Sequence, residues 1–101
     1  MIPRLIPSVA ALILLSQPAL AVSKTEDCTY QAAIVAAVQQ ARLDGVKQAD
    51  VVGTITAGNR DWPGNYDNAI PIFAAQIYGL KKRQLKKTDL GAEWMNTCMS
   101  N

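Results

Sequence analysis

Apolar residues recur along this chain every three to four positions. After Tyr30 they fall at Ala33, Ile34, Ala37, Val38 and Ala41, one continuous stripe on the side of an α-helix. Ser23, Lys24, Thr25 and Glu26 have the S-x-x-E spacing of a capping box, and Gly45 suits the left-handed residue that closes a helix. A first helix is therefore predicted from this box to Leu43. Val46, Ala49, Val52 and Ile55 then stand three apart, which predicts a short second helix within Val46 to Ala57. Gly53 and the β-branched Val51, Val52, Thr54, Ile55 and Thr56 lower helix propensity there and suit a strand as well. Residues 58–65 gather Gly, Asn, Asp and Pro into the main loop. Beyond it, Ile70, Phe73, Ala74, Ile77 and Tyr78 form a third helical stripe, with Asp67 or Asn68 placed to cap it, Pro71 in the first turn and Gly79 at the end. Thr88 and Asp89 introduce a fourth helix to about Met99, whose inward residues are Leu90, Trp94, Met95 and Cys98.

The N-terminal segment has a different pattern. One positive charge at Arg4, an apolar stretch from Leu5 to Leu15, and the small-residue end Ala19, Leu20, Ala21 have the order of a secretory signal peptide. Cleavage after Ala21 is expected, leaving a single domain over residues 22–101. The apolar stretch spans about eleven positions, broken by Pro7 and Ser8, against the roughly twenty that a spanning helix requires. No transmembrane segment is expected. Cys28 does not directly follow the small residues, so no lipid attachment is expected either.

Export to an oxidising compartment changes the meaning of the two cysteines, Cys28 and Cys98. A pair so far apart, with no histidine in the chain, makes a poor metal set and lacks the C-x-x-C spacing of redox motifs. A structural disulfide is expected. A loop of this length gives about 4 kcal/mol in the chain-entropy account. Cys28 opens the first helix and Cys98 closes the last, so those two helices must run antiparallel. The expected fold is all-α: about four helices closed by one disulfide between the first and the last.

Composition removes most chemistry. The chain has 101 residues, half of them hydrophobic, a formal net charge of +2 and no histidine, so no Ser-His, Cys-His or His-metal unit can form. The carboxylates are scattered, and only Asp61 and Asp67 share a loop, where aspartates serve turns and caps. No enzyme activity, no cofactor and no metal site is expected.

Two surfaces remain as candidates. Lys81, Lys82, Arg83, Lys86 and Lys87 place five positive charges in seven residues, with no acid before Asp89. Such a run holds an anionic partner, lipid or lipopolysaccharide, or else is a solvated linker near a helix C-terminus. If helical, it turns Leu85 inward and Lys82, Arg83, Lys86 and Lys87 outward. Nucleic acid is not expected, since export separates the chain from it and no aromatic residue interleaves the run. The second candidate is the loop containing Trp62 and Tyr66, aromatic residues beside polar ones as in protein hot spots. A tryptophan before Pro-Gly also folds back over the core of small domains. Trp94, on the Leu90 to Cys98 stripe, reads as core.

An early cysteine, Ala41-Arg42-Leu43-Asp44-Gly45 at a helix end, Ile77-Tyr78 closing the third helix, and Trp94 four residues before the last cysteine together resemble a group of small secreted two-cysteine helical proteins of proteobacteria with no assigned function. The resemblance implies periplasmic location and an all-helical fold, and no activity. Architecture alone is also similar to periplasmic immunity proteins that inhibit cell-wall-degrading enzymes. The expected function is a protein-binding interaction module with a periplasmic protein as partner. The alternative is an envelope-associated protein held on anionic lipid or lipopolysaccharide by the basic run.

Overall fold

The computed structural model describes residues 22–101; the expected signal peptide and its cleavage after Ala21 lie outside the described residues. Five α-helices follow in order: α1 (Lys24–Leu43), α2 (Val51–Thr56), α3 (Ile70–Ile77), α4 (Lys82–Leu85) and α5 (Leu90–Ser100). Two 3₁₀ segments, Gln48–Asp50 and Gly64–Ala69, lead into α2 and α3. No strand occurs among the described residues. The helix beyond the four expected is α4, in the basic run, which forms a turn of its own and does not simply connect its neighbours.

Both ends of α1 follow from local chemistry. The Ser23 hydroxyl accepts from the Glu26 amide at 3.0 Å, and the Glu26 carboxylate accepts from the Ser23 amide at 3.3 Å, which satisfies amides left orphaned at a helix start. At the other end Gly45 has φ +85°. Its amide donates to Arg42 O at 3.2 Å and that of Val46 to Ala41 O at 3.0 Å, the two bonds of a Schellman motif. A Cβ at φ +85° would be strained, so glycine belongs there.

The second and third helices depart from expectation in detail. The second begins as a 3₁₀ turn and becomes α-helical only at Val51, which shifts its phase. Val51 is buried and Val52 exposed, the reverse of the three-residue pattern. At α3 neither Asp67 nor Asn68 makes a cap. The preceding 3₁₀ segment supplies the acceptor through its own carbonyls, with Ile70 N–H bonding Asp67 O, which frees the Asp67 carboxylate for other partners. Asp89 does cap α5, accepting from the Ala92 amide at 3.0 Å.

α1 is the mast on which every other helix packs, with its most extensive contact against α5. Ile34, Val38 and Ala41 meet Ile70, Phe73, Ala74 and Ile77 of α3, and Val51, Trp62 and Leu85 complete the core. Val35, outside the expected stripe, is buried as well, because α1 is covered from more than one side. Cys28 and Cys98 form the disulfide, with Cα atoms 5.7 Å apart, so α5 returns antiparallel along α1. Lys24 Nζ donates to the Asn101 carbonyl beside it.

What lets α5 lie so close is Gly91, buried in the contact. A Cβ there would stand 3.1 Å from the Ala32 carbonyl oxygen and 3.4 Å from Ala36 Cβ. In an open helix Gly→Ala stabilises by about 1 kcal/mol. Here the Ala32 carbonyl would have to give by a few tenths of an ångström, and Gly91→Ala is expected to lower stability by about 1–3 kcal/mol, as overpacking does. Urea unfolding measures this; a stabilised variant would show that the helices have room.

Candidate functional site

The basic run lies on the surface as the pattern predicted. Leu85 points into the core with 2% exposure, while Lys81, Lys82, Arg83, Lys86 and Lys87 are exposed. The Lys86 amide bonds Lys82 O at 3.0 Å and the Lys87 amide bonds Gln84 O at 3.1 Å, so the helical turn continues past α4. Gln39 of α1 fixes its base. The Gln39 Nε2 group donates to Leu85 O and Thr88 O, both at 2.7 Å, and its Oε1 accepts from the Leu90 amide at 3.2 Å.

The aromatic loop divides into two parts with different roles. Trp62 retains 9% of its surface and its indole N–H donates to Asp67 Oδ1 at 2.9 Å. Arg60 Nε stands 3.0 Å from the same oxygen without a hydrogen-bonding alignment. Trp62 therefore belongs to the core that the loop folds over, leaving little of its ring for a partner. Tyr66, by contrast, is half-buried and reaches a separate surface hollow.

That hollow, about 500 Å³, lies between the 3₁₀ segment, α3 and α5. Its apolar lining is Tyr66, Ala69, Ile72, Phe73 and Trp94, and its polar lining is the amides of Gln31, Asn65, Asn68 and Gln76. No charged side chain lines it. Phe73 and Trp94 meet edge to face at 5.1 Å, as do Tyr30 and Tyr66 at 5.2 Å. A chain of hydrogen bonds locks two of these rings. Trp94 Nε1 donates to Gln31 Oε1 at 3.0 Å, Gln31 Nε2 to Asp27 Oδ2 at 2.9 Å, and the Tyr66 hydroxyl to Asp27 Oδ1 at 2.6 Å. One carboxylate thus orients aromatic walls contributed by two different elements. Ile72 stands at the side with 62% of its surface in solvent.

Sequence reasoning singled out Tyr66 but not Ile72, Gln76 or Gln31, and assigned Trp94 wholly to the core. Trp94 is half-buried, packed on Phe73 and open to the hollow. The available signal was Ile72 itself, an isoleucine lying off the Ile70, Phe73, Ala74, Ile77 stripe.

The motif residues of the resemblance also meet. The Arg42 guanidinium lies 5.3 Å over the Tyr78 ring, and the Tyr78 hydroxyl donates to Val46 O at 2.7 Å, just past the Schellman turn. Burial raises the Tyr78 pKa, and Arg42 partly offsets this. These contacts tie the end of α1 and the turn after it to the end of α3. Among the described residues no group of three or more His, Cys, Asp or Glu gathers to hold a metal ion. No family model, curated protein or solved structure matches this chain.

The Asp27 contact has a titration signature. Its hydrogen bond, then desolvation, then the charge of Asp27 push the Tyr66 phenol from 10.0 up to about 12. A raised pKa means that the protonated phenol is favoured in the folded state. This contribution to stability is complete below the unfolded value near 10 and disappears as pH rises from there to about 12. Asp27→Asn is expected to bring the Tyr66 ionisation back towards 10, read as tyrosinate absorbance with Tyr66→Phe to assign the step. An unchanged titration would remove Asp27 as the cause.

Proposed function

We propose that this protein is an exported interaction module that binds an uncharged, apolar segment of a periplasmic protein in the hollow between the 3₁₀ segment, α3 and α5. One observation carries the reading. The walls Tyr66 and Trp94 are held in place through Asp27 and Gln31 beside an isoleucine that is 62% exposed. Rigid aromatic rings lose little entropy on binding and supply large contact area, the composition of interface hot spots. Covering Ile72 contributes up to about 2 kcal/mol of apolar burial, and the amides of Asn65, Asn68 and Gln76 can pair with a partner's backbone.

Export is supported by the disulfide, since such bonds persist in oxidising compartments, and by the A-x-A end at Ala21. No described helix is long and apolar enough to cross a membrane. A mature N-terminus at Val22, read by mass spectrometry of the exported chain, checks this part.

Binding of this kind has little charge in it and is expected to survive high salt. Tagged protein recovered from the periplasm is expected to retain a protein partner at low and high ionic strength. Ile72→Asp, at an exposed position where stability should change by only about 0.5 kcal/mol, is expected to weaken that capture more than tenfold. Lys82→Glu with Arg83→Glu leaves it intact. Capture unaffected by Ile72→Asp, or lost in salt, overturns the reading.

A further inference from the structure

Charge in this molecule is segregated. The run from Lys81 to Lys87 holds five basic side chains and no acid, whereas the remainder from Val22 onward has four basic side chains, Lys24, Arg42, Lys47 and Arg60, against all eight carboxylates. The body is net negative and the run strongly positive. Three of those four outlying cations are engaged locally: Arg42 lies over Tyr78, Arg60 pairs with Asp67, and Lys24 bonds the Asn101 carbonyl. None of the five in the run has a carboxylate within ion-pair distance among the described residues.

Geometry turns this run into a face. At 3.6 residues per turn Lys82, Lys86, Arg83 and Lys87 share one arc of about 140°, with Arg83 and Lys87 farthest from the buried Leu85, and all four are exposed. Gln39 holds both the end of α4 and the start of α5, so the cations are displayed on a fixed base. Leu80, directly before the run, keeps 36% of its surface exposed. Cations beside an exposed apolar side chain suit the headgroup layer of an anionic bilayer, where charge attracts and an apolar group can enter the interface.

We propose that the Lys82, Arg83, Lys86 and Lys87 face is a peripheral docking surface for anionic phospholipid headgroups at the surface of a bilayer, separate from the uncharged hollow. The negative body has an orienting role. It is repelled by the same surface that attracts the run, so the protein docks with α4 towards the lipid.

Co-sedimentation of the full exported protein with vesicles tests this. Binding is expected to phosphatidylcholine vesicles containing phosphatidylglycerol and not to phosphatidylcholine alone, and to fall as salt rises. Each cation near such a surface is worth about fivefold in affinity, so Lys82→Gln with Arg83→Gln is expected to weaken binding more than tenfold. Both positions are exposed, and the variant's unfolding midpoint confirms an intact fold. Ile72→Asp binds vesicles as the parent does, which separates this proposal from the one for the hollow. Equal binding to both vesicle types, or no loss in the double variant, overturns it. So does binding to lipopolysaccharide without binding to phosphatidylglycerol. Binding to soluble heparin as strong as that to vesicles also overturns it, because a bilayer would then add nothing to charge alone. Leu80→Gln probes the same distinction, with weaker vesicle binding and unchanged heparin binding expected.

Discussion

The most extensive contact in the fold, that of α5 with α1, depends on how closely the two helices can lie. Gly91 presents no side chain to the Ala32 carbonyl and Ala36 methyl, so the two helices meet almost backbone to backbone. The disulfide joins them one end along, at Cys28 and Cys98. The bond and the glycine divide the work: one removes unfolded conformations, the other admits the packed geometry. Neither alone would define the pair, since a covalent loop leaves the crossing open and a small-residue contact has little energy of its own.

Two glutamines on α1 extend that pairing to the surfaces. Gln31 and Gln39 are eight residues apart, each half-buried, and each uses both amide atoms while its oxygen accepts from α5. Gln31 accepts from Trp94 and donates to Asp27; Gln39 accepts from Leu90 and donates to Leu85 and Thr88. A half-buried amide must satisfy donor and acceptor together, so each glutamine has one orientation that works. The aromatic hollow depends on the first and the base of the cationic face on the second. The surfaces differ in kind, one uncharged and apolar, the other charged and exposed, and salt should act on them in opposite measure.

A small domain rarely has stability to spare, and here the supports of the surfaces are also supports of the fold. Trp94 closes the core against Phe73 while forming a wall of the hollow. Leu85 anchors α4 in the core while directing its cations outward. An exposed residue such as Ile72 carries no such double duty, and that is what makes it informative about binding.

Local rules reached a long way in this chain. The capping box at Ser23, the glycine at Gly45, the stripes of α1 and α3, the inward Leu85 and the pairing of the two cysteines are all contained in spacing and residue type, because each depends on neighbours within a few positions or on a count of two. The phase of α2 was not, since a 3₁₀ turn before Val51 rotates the stripe by an amount that no propensity specifies. The same kind of turn displaced Asp67 from its capping role and made it the acceptor for Trp62. The closeness at Gly91 and the burial of Val35 depend on which helices cover α1, a long-range fact. So does the hollow: Tyr66 and Trp94 are unremarkable in their own segments and become walls of one hollow, beside Ile72, only when an aspartate and a glutamine on α1 bring them together. Sequence alone determined the elements and the staple; tertiary structure decided which faces met and what the leftover surfaces could hold.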